Sequence, residues 1–265
     1  ALVSMLLLCA GCVSAPRAAE VNEQKKVVCF FGGGAWRYER MTHFIPGFLA
    51  FDGDGTLAEW DLREVAREAH AAGAKVIVSF DGEHWEENFL PMSENEDGSR
   101  DRFIAAILQY CLDNGIDGVD YDWEIGGGFD ARQQKLYSDL VVETKRAFER
   151  YGLTVSIDAY FRDELDDRGI AAVDWIQLMA YEDMAELRSM IEYWKARGVP
   201  DRKLVLGMAV GWGDEGEGFD LDLARAKVRL CLDGRYGGVM LFRTDLDSED
   251  GDSVLQAVDD VINAR

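Results

Sequence analysis

Hydrophobic and polar positions alternate in blocks along the chain from Lys25 onward. The short apolar runs have the length of β-strands, and the longer stretches between them repeat apolar residues at helical spacing. Eight strands are predicted, at residues 26–31, 42–51, 75–80, 115–122, 153–159, 175–180, 203–210 and 237–242. Six helices are predicted, at residues 62–72, 100–114, 131–151, 185–197, 221–233 and 253–264. The first and fifth connections between strands are predicted to be short or irregular.

The order of these elements predicts an α/β fold with a single closed (β/α)8 barrel, a TIM barrel. Its strands read as near-continuous runs of Val, Ile and Leu, which is typical of parallel strands buried on both faces. A glycine suited to a helix C-terminus precedes several strands, at Gly73, Gly115, Gly152, Gly198 and Gly237. A doubly wound open sheet is the alternative, but the glycine triplet at 32–34 lacks the spacing of a nucleotide-binding turn.

Composition and charge limit the possible partners. The chain has 265 residues, of which 48% are hydrophobic, so it can bury a large core. Its 50 acidic and 28 basic residues give a formal net charge of -22. Because a field of this sign repels phosphate backbones, no nucleic-acid partner is expected, whereas neutral and cationic ligands remain possible.

The amino-terminal segment has the pattern of a targeting leader. Residues 2–9 are almost entirely apolar but too few to span a bilayer. Ala10-Gly11-Cys12 resembles a bacterial lipobox, although Cys9 stands where such boxes usually carry Leu. We predict that residues 1–19 form a lipoprotein-type leader with Cys12 as the lipidated residue; cleavage by an ordinary signal peptidase after Ala15 is the alternative. Residues 20–265 would then form the barrel domain, secreted or held in a bacterial cell envelope, with lipid as its only membrane contact.

Three cysteines lie beyond the leader, at Cys29, Cys111 and Cys231. They are far apart, fall within apolar strand or helix patterns and show no C-x-x-C spacing, so buried free thiols are predicted rather than disulfides or metal ligands.

Acidic residues occupy every second position near the end of the fourth predicted strand. Asp120, Asp122 and Glu124 share one face, and the bulky residues between them project to the other. Carboxylates that point into a barrel cost free energy unless they are paired, hydrogen-bonded or protonated, and that cost indicates a function. Neighbouring carboxyls push one another's pKa apart, so Glu124 at the strand end is the expected proton donor. A divalent cation site is the alternative.

A second acidic triplet with the same spacing follows the eighth strand, at Asp245, Asp247 and Glu249. Because Ser, Gly and Asp surround it, we predict that this triplet belongs to a solvated loop.

Three motifs carry a resemblance to a known family. The segment Asp117-Gly-Val-Asp120-Tyr-Asp122-Trp-Glu124 resembles the D-G-x-D-x-D-x-E signature of glycoside hydrolase family 18, the chitinases and endo-β-N-acetylglucosaminidases. Met179-Ala-Tyr181 resembles the M-x-Y motif of that family, and residues 238–242 resemble its eighth strand. The resemblance extends from about Lys25 to the end of the chain.

The resemblance implies a retaining, substrate-assisted hydrolysis of β-1,4 bonds next to N-acetylglucosamine, without a cofactor. It implies that Glu124 is the general acid and base, that Asp122 orients the substrate's acetamido group, that Asp120 supports Asp122, and that Tyr181 bonds the acetamido carbonyl. Asp117 and Gly118 would be structural. Six residues are predicted to contact substrate: Trp36, Tyr160, Met179, Glu182, Trp212 and Phe242.

The sequence departs from the family pattern at three positions. Asp81 stands where the family often has Gly, Glu182 where Asp often follows the motif tyrosine, and Phe242 where a Trp commonly forms the floor of the sugar site. A non-catalytic chitinase-like carbohydrate-binding protein is therefore an alternative, and a metal-dependent enzyme that uses the acidic face is another.

The segment between Trp212 and the eighth strand is too short for the α+β insertion domain of many chitinases. A shallow groove is therefore expected. Such a groove favours chito-oligosaccharides or the di-N-acetylchitobiose core of N-glycans as substrates. A monomer is also expected.

Overall fold

The structure is a computed structural model that describes residues 24–81, 84–160, 162–211, 220–248 and 253–264. The predicted leader with Cys12 lies outside these described residues, as do Trp212 and Glu249.

Eight parallel strands form a closed barrel in the order of the sequence, as predicted. The strands are β1 Lys26–Phe30, β2 His43–Ile45, β3 Lys75–Asp81, β4 Gly118–Asp122, β5 Thr154–Ala159, β6 Trp175–Leu178, β7 Leu204–Ala209 and β8 Gly238–Phe242. β8 pairs with β1, which closes the barrel. Closure removes both sheet edges, and a parallel register brings the C-terminal ends of all strands to one end of the barrel.

Helices surround this barrel. They are α1 Ala35–Tyr38, α2 Arg63–Ala71, α3 Phe89–Glu94, α4 Ser99–Asn114, α5 Ala131–Phe148, α6 Asp167–Ala172, α7 Met184–Ala196, α8 Leu221–Asp233 and α9 Val254–Ile262. All six predicted helices form, and the short α1 and α6 fall in the two connections predicted to be short or irregular. Side-chain caps begin five of the helices, at Asp130, Asp166, Asp183, Asp220 and Ser253. No helix in the described part of the chain is long and apolar enough to cross a bilayer.

The second strand is shorter than predicted. Residues 42–51 were expected to be one strand, but β2 ends at Ile45. Pro46 has no N–H to donate, and Gly47 has φ of 144°, so the backbone leaves the ladder there. Among the described residues, one isolated bridge, between Phe48 and Ser79, continues the pairing of this segment with β3.

Side chains of the barrel separate into two sets. Outward-facing residues such as Val119 and Tyr121 pack against the helices in the main hydrophobic core. A smaller cluster fills the barrel interior: Val28, Phe30, Ile45, Ile77, Trp175, Met179, Val205 and Met240. Cys29, Cys111 and Cys231 are buried free thiols, which confirms their prediction. The connection from β7 to β8 contains α8 and, in its described part, no further strand.

The prediction for the second acidic triplet is wrong at Asp247, which is buried. Its carboxylate accepts hydrogen bonds from Ser253 Oγ at 2.8 Å and from Val254 N at 2.8 Å. The first turn of α9 has N–H groups without helical partners, and Asp247 satisfies them. Asp245 instead bonds Arg243 at 2.7 Å.

Candidate active site

A cavity of about 420 Å³ opens where the strands end. It is lined by Phe30, Asp122, Glu124, Asp158, Tyr160, Met179, Tyr181, Glu182, Glu186 and Phe242. Enzymes with this architecture place their active sites at this end of the barrel, because the loops after the strands meet there. Of the predicted acids, Asp122 and Glu124 therefore line a cavity suited to a ligand.

Asp120 lies in the barrel centre and is fully buried. Ser79 Oγ of β3 donates to its Oδ2 at 2.8 Å, and Ser156 Oγ of β5 donates to its Oδ1 at 2.5 Å. Gln177 Nε2 of β6 donates to the same Oδ1 at 3.0 Å. Because three other strands supply these donors, the barrel itself fixes the position of this carboxyl group.

Asp158 and Asp120 are hydrogen-bonded to each other. Gln177 Nε2 also donates to Asp158 Oδ1 at 3.0 Å. Two carboxyl groups form a hydrogen bond only when one carries a proton, and burial is the first cause that raises the pKa of both. The hydrogen bonds that Asp120 accepts lower its pKa, against the effect of burial, whereas the negative charges of Asp120 and Asp122 raise the pKa of Asp158 further.

Asp122 follows Asp120 on the same face and lines the cavity. Burial, and next the negative charges of Glu124 and Asp120, raise its pKa well above the ordinary value. Its Oδ1 is buried and accepts no hydrogen bond from the residues that the structure describes. Since buried polar atoms normally have a partner, this oxygen is suited to a donor on a bound ligand.

Glu124 is half-buried just beyond the end of β4. Burial, and then the negative charge of Asp81, raise its pKa. Trp123, its neighbour in sequence, points to the other side and stacks on Phe89, with ring centroids 5.0 Å apart and planes at 9°. Anchored by this ring, Glu124 is held at the cavity as a carboxyl group that keeps its proton to higher pH.

Tyr181 contributes to an aromatic floor. Its ring stacks on Phe242 with centroids 6.0 Å apart, and its hydroxyl lies 4.0 Å from Met240 Sδ. Phe242 in turn contacts Phe30 edge-on at 5.6 Å. Burial raises the pKa of Tyr181 well above its usual value, so its hydroxyl remains a proton donor.

Three more residues predicted to bind substrate line the cavity: Tyr160, Met179 and Glu182. Trp36 does not line it. It lies on α1, packs partly against the core, and has the Arg40 guanidinium 4.4 Å above its ring.

Asp117 and Gly118 lie at the opposite end of β4. Asp117 Oδ2 accepts a hydrogen bond from Val76 N at 2.8 Å and lies 2.7 Å from His70 Nε2. A side chain at Gly118 would clash with the Thr154 carbonyl oxygen of β5. Both residues thus support the barrel away from the cavity.

Comparison with known families identifies the chain. The family described as Glycosyl hydrolases family 18 matches residues 20–215. The chain belongs to glycosyl hydrolases family 18.

Two animal proteins are similar to this family 18 chain. The protein named Probable chitinase 10 of Drosophila melanogaster is 25% identical over 250 residues, which cover 71% of this chain and 11% of that protein. Chitotriosidase-1 of Mus musculus is 24% identical over 157 residues, which cover 42% of this chain and 32% of that protein. The chain thus spans a third or less of the length of each.

A solved structure shares the fold. The family 18 chitinase ChiB of Flavobacterium johnsoniae superimposes with a TM-score of 0.76 over 91% of this chain and 95% of that chain, at 19% identity. This likeness confirms the predicted TIM barrel.

Sequence reasoning missed several residues of this family 18 cavity and of the network beneath it: Phe30, Ser79, Ser156, Asp158, Gln177 and Glu186. A signal for some of them was present. Asp158 shares a strand face with Ser156, and Gln177 lies between Trp175 and Met179 on one face of β6. Polar residues at alternate positions within apolar strands indicate a polar barrel interior.

The cavity lining is strongly acidic. In the part that the structure describes, it includes five carboxyl groups and no Lys or Arg: Asp122, Glu124, Asp158, Glu182 and Glu186. Such a lining favours positive charge that develops in a transition state. Within the described ranges, no group of three His, Cys, Asp or Glu residues is placed to hold a metal ion.

Proposed function

We propose that this family 18 chain is a glycosidase that cleaves β-1,4 bonds next to N-acetylglucosamine by a retaining, substrate-assisted reaction. The observation that carries the proposal is the position of Glu124 in the cavity, beside Asp122, with a pKa raised by burial and by Asp81. A carboxyl group that keeps its proton at higher pH is suited to general acid catalysis.

In this reaction Glu124 gives its proton to the glycosidic oxygen as the bond from that oxygen to the sugar C1 breaks. The substrate's own acetamido oxygen attacks C1 and forms a cationic oxazolinium ring. Glu124, now ionised, takes a proton from a water molecule, whose oxygen attacks C1 and opens the ring. Two inversions at C1 leave the anomeric configuration retained.

Asp122 orients the acetamido group and stabilises the oxazolinium cation. Its Oδ1 is the buried oxygen without a donor in the described protein, and the substrate's acetamido N–H would supply one. Asp120 supports Asp122 electrostatically, since its negative charge raises the pKa of Asp122, and the Tyr181 hydroxyl donates to the acetamido carbonyl. The acidic lining stabilises the positive charge that forms.

The cavity supports a small-glycan substrate. The cavity has a volume of about 420 Å³, and its lining includes the Phe242 ring and the half-exposed Tyr160 ring, on which a short glycan could stack. We propose chito-oligosaccharides or the di-N-acetylchitobiose core of N-glycans as substrates.

The test is mass spectrometry of products after incubation with chitopentaose and, separately, with a high-mannose glycopeptide. Shorter chito-oligosaccharides would support a chitinase-like hydrolase, and a glycopeptide left with one N-acetylglucosamine would support an endoglycosidase. Glu124→Gln is the control for a contaminating enzyme. Loss of activity with a metal chelator would instead support the metal-dependent alternative.

A non-catalytic carbohydrate-binding protein is the second candidate, favoured by the departures at Asp81 and Phe242. Asp81 lies in register with Asp122 and adds negative charge to it, and Phe242 offers a smaller stacking surface than Trp. Binding of chitopentaose by calorimetry without any product would establish this candidate.

We also propose that Cys12 carries lipid and that the protein belongs to a bacterial cell envelope. The support is the lipobox-like Ala10-Gly11-Cys12 sequence. In a bacterial host, Cys12→Ser would move the protein out of the membrane fraction; an unchanged distribution would contradict the anchor.

A further inference from the structure

Lys227 on α8 is fully buried, although lysine is seldom found without solvent. Its Nζ donates to the carbonyl oxygens of Ala180 at 2.6 Å, Gly207 at 3.1 Å and Tyr181 at 3.2 Å. An ammonium group has three N–H donors, so three backbone carbonyls use its full capacity.

Two of these carbonyls belong to the segment that carries Tyr181 into the cavity. The register between β6 and β7 ends at Leu178 and Leu206, and Ala180 N turns back to bond the Leu178 carbonyl at 2.8 Å. The carbonyls of Ala180 and Tyr181 therefore lie beyond the strand ladder. A buried carbonyl left without a donor destabilises the fold, and Lys227 supplies the donor.

The charges around Lys227 come from the neighbouring helix α7. Burial lowers the pKa of Lys227 to about 8, and the negative charges of Glu186 and Asp183 act in the opposite direction. Asp183 caps α7, and Glu186 lines the cavity. The ammonium therefore lies near Glu186 of the acidic cavity lining. Removing it would leave the Ala180 and Tyr181 carbonyls without this donor and would remove a positive charge that faces Glu186 and Asp183.

We propose that Lys227 is a positioning residue, which fixes the Tyr181 ring in the cavity by holding the Ala180 and Tyr181 carbonyls. It touches no substrate and acts only through Tyr181. The kinetic part of this inference rests on the proposed hydrolysis.

The chain offers a matched control in Lys203. Its Nζ also donates to three backbone carbonyls, those of Ile170 at 3.1 Å, Ala171 at 3.0 Å and Val173 at 2.5 Å. These carbonyls belong to α6 and its C-terminus rather than to the cavity. Lys203→Met thus removes the same kind of interaction without releasing Tyr181.

The kinetic test compares Lys227→Met with Lys203→Met on a glycan that the wild type hydrolyses. We expect kcat/KM to fall by about tenfold to a hundredfold for Lys227→Met, as misplaced catalytic groups do, and by less than about twofold for Lys203→Met. Lys227→Arg, which keeps the charge and the donors, should recover part of the loss. In a Tyr181→Phe background, Lys227→Met should cost much less, because the residue that it positions has lost its hydroxyl.

A crystal structure provides a readout that does not need activity. In Lys227→Met the Tyr181 ring should leave its 6.0 Å stack with Phe242, whereas in Lys203→Met it should stay. If Lys227→Met does not fold, Lys227→Gln, which keeps an amide donor, serves in its place. A Tyr181 ring that stays in position, or a kinetic loss of the same size in the Tyr181→Phe background, overturns the inference. Absence of hydrolysis by the wild type would refute the proposed function and leave the crystallographic test of Lys227 intact.

Discussion

The acids at the two ends of the barrel differ in their surroundings: those at the N-terminal end have basic partners, and those toward the C-terminal end are buried together. At the N-terminal end, Asp117 and Asp174 directly precede β4 and β6, and each accepts a hydrogen bond at 2.8 Å from a backbone N–H of the preceding strand. Each also has a partner on a helix: His70 lies 2.7 Å from Asp117, and Lys145 lies 2.6 Å from Asp174. These carboxylates each have a backbone N–H and a basic side chain as partners, so they connect neighbouring strands to a helix and stabilise the fold.

At the C-terminal end, Asp120, Asp122 and Asp158 lie against one another, and burial raises the pKa of all three. Buried acids without cations destabilise a fold, so a sequence retains them for chemistry rather than for stability. The comparison shows one barrel whose two ends have different tasks: the N-terminal end is organised for stability and the C-terminal end for a reaction.

The largest effect is expected from Glu124→Gln at the reactive end. Loss of the proton donor should lower kcat by about a thousandfold, while the affinity for chitopentaose changes little because the side chain keeps its shape. Steady-state kinetics and calorimetry measure the two quantities. Glu182→Gln, in the same cavity lining, is the control and should cost less than about tenfold. Equal losses for both variants would mean that cavity charge, not proton donation, is responsible.

At the stable end, Asp117→Ala should lower the free energy of unfolding by about 2 kcal/mol, because Val76 N loses its acceptor. Asp174→Ala should behave similarly through Val155 N. Urea unfolding measures both, and kcat of the folded variants should stay near that of the wild type. A large kcat loss in either variant would contradict the division between the two ends.

A pair of aromatic substitutions, one near each end of the barrel, tests whether substrate binding depends on the C-terminal end alone. Phe242→Ala should raise KM by about tenfold, since it removes the ring that lines the cavity floor. Trp175 belongs to the same interior cluster but contacts His43 at the other end of the barrel. Trp175→Phe should therefore lower the free energy of unfolding and leave KM unchanged. Substrate titrations and thermal unfolding give the two readouts; a higher KM in Trp175→Phe would break the distinction.

The most gradual change is expected in the pH dependence of stability, where the effect per pH unit is small. Because the folded-state pKa of Asp122 is raised, its stabilising contribution is complete below the ordinary aspartate pKa and is lost as the pH rises through the folded-state value. Asp122→Asn should remove this loss, so the difference in stability between variant and wild type should grow with pH by at most about 1.4 kcal/mol per pH unit. Urea unfolding at a series of pH values measures it. A difference that shrinks as the pH rises would contradict a raised pKa.

Much of this molecule follows from local pattern. The strand positions, the six longer helices and the shared face of Asp120, Asp122 and Glu124 come from periodicities that each segment carries by itself. The second strand was predicted too long because apolar content continues past Ile45, whereas pairing requires N–H groups and backbone angles that Pro46 and Gly47 do not offer. Periodicity thus predicts where apolar residues lie, but not where hydrogen bonding stops.

The sequence by itself determined the barrel, its family and the acids of the fourth strand, because these depend on spacing within short segments. Only the tertiary structure decided which distant residues join them. Asp158 and Gln177 become partners of Asp120 because the register of β4, β5 and β6 sets them side by side, and Lys227 reaches Tyr181 because α8 packs against β7. Such contacts arise from closure of the sheet, so no single segment encodes them. The same closure excludes water, which is what raises the pKa of carboxyl groups that would be ordinary acids in an open chain.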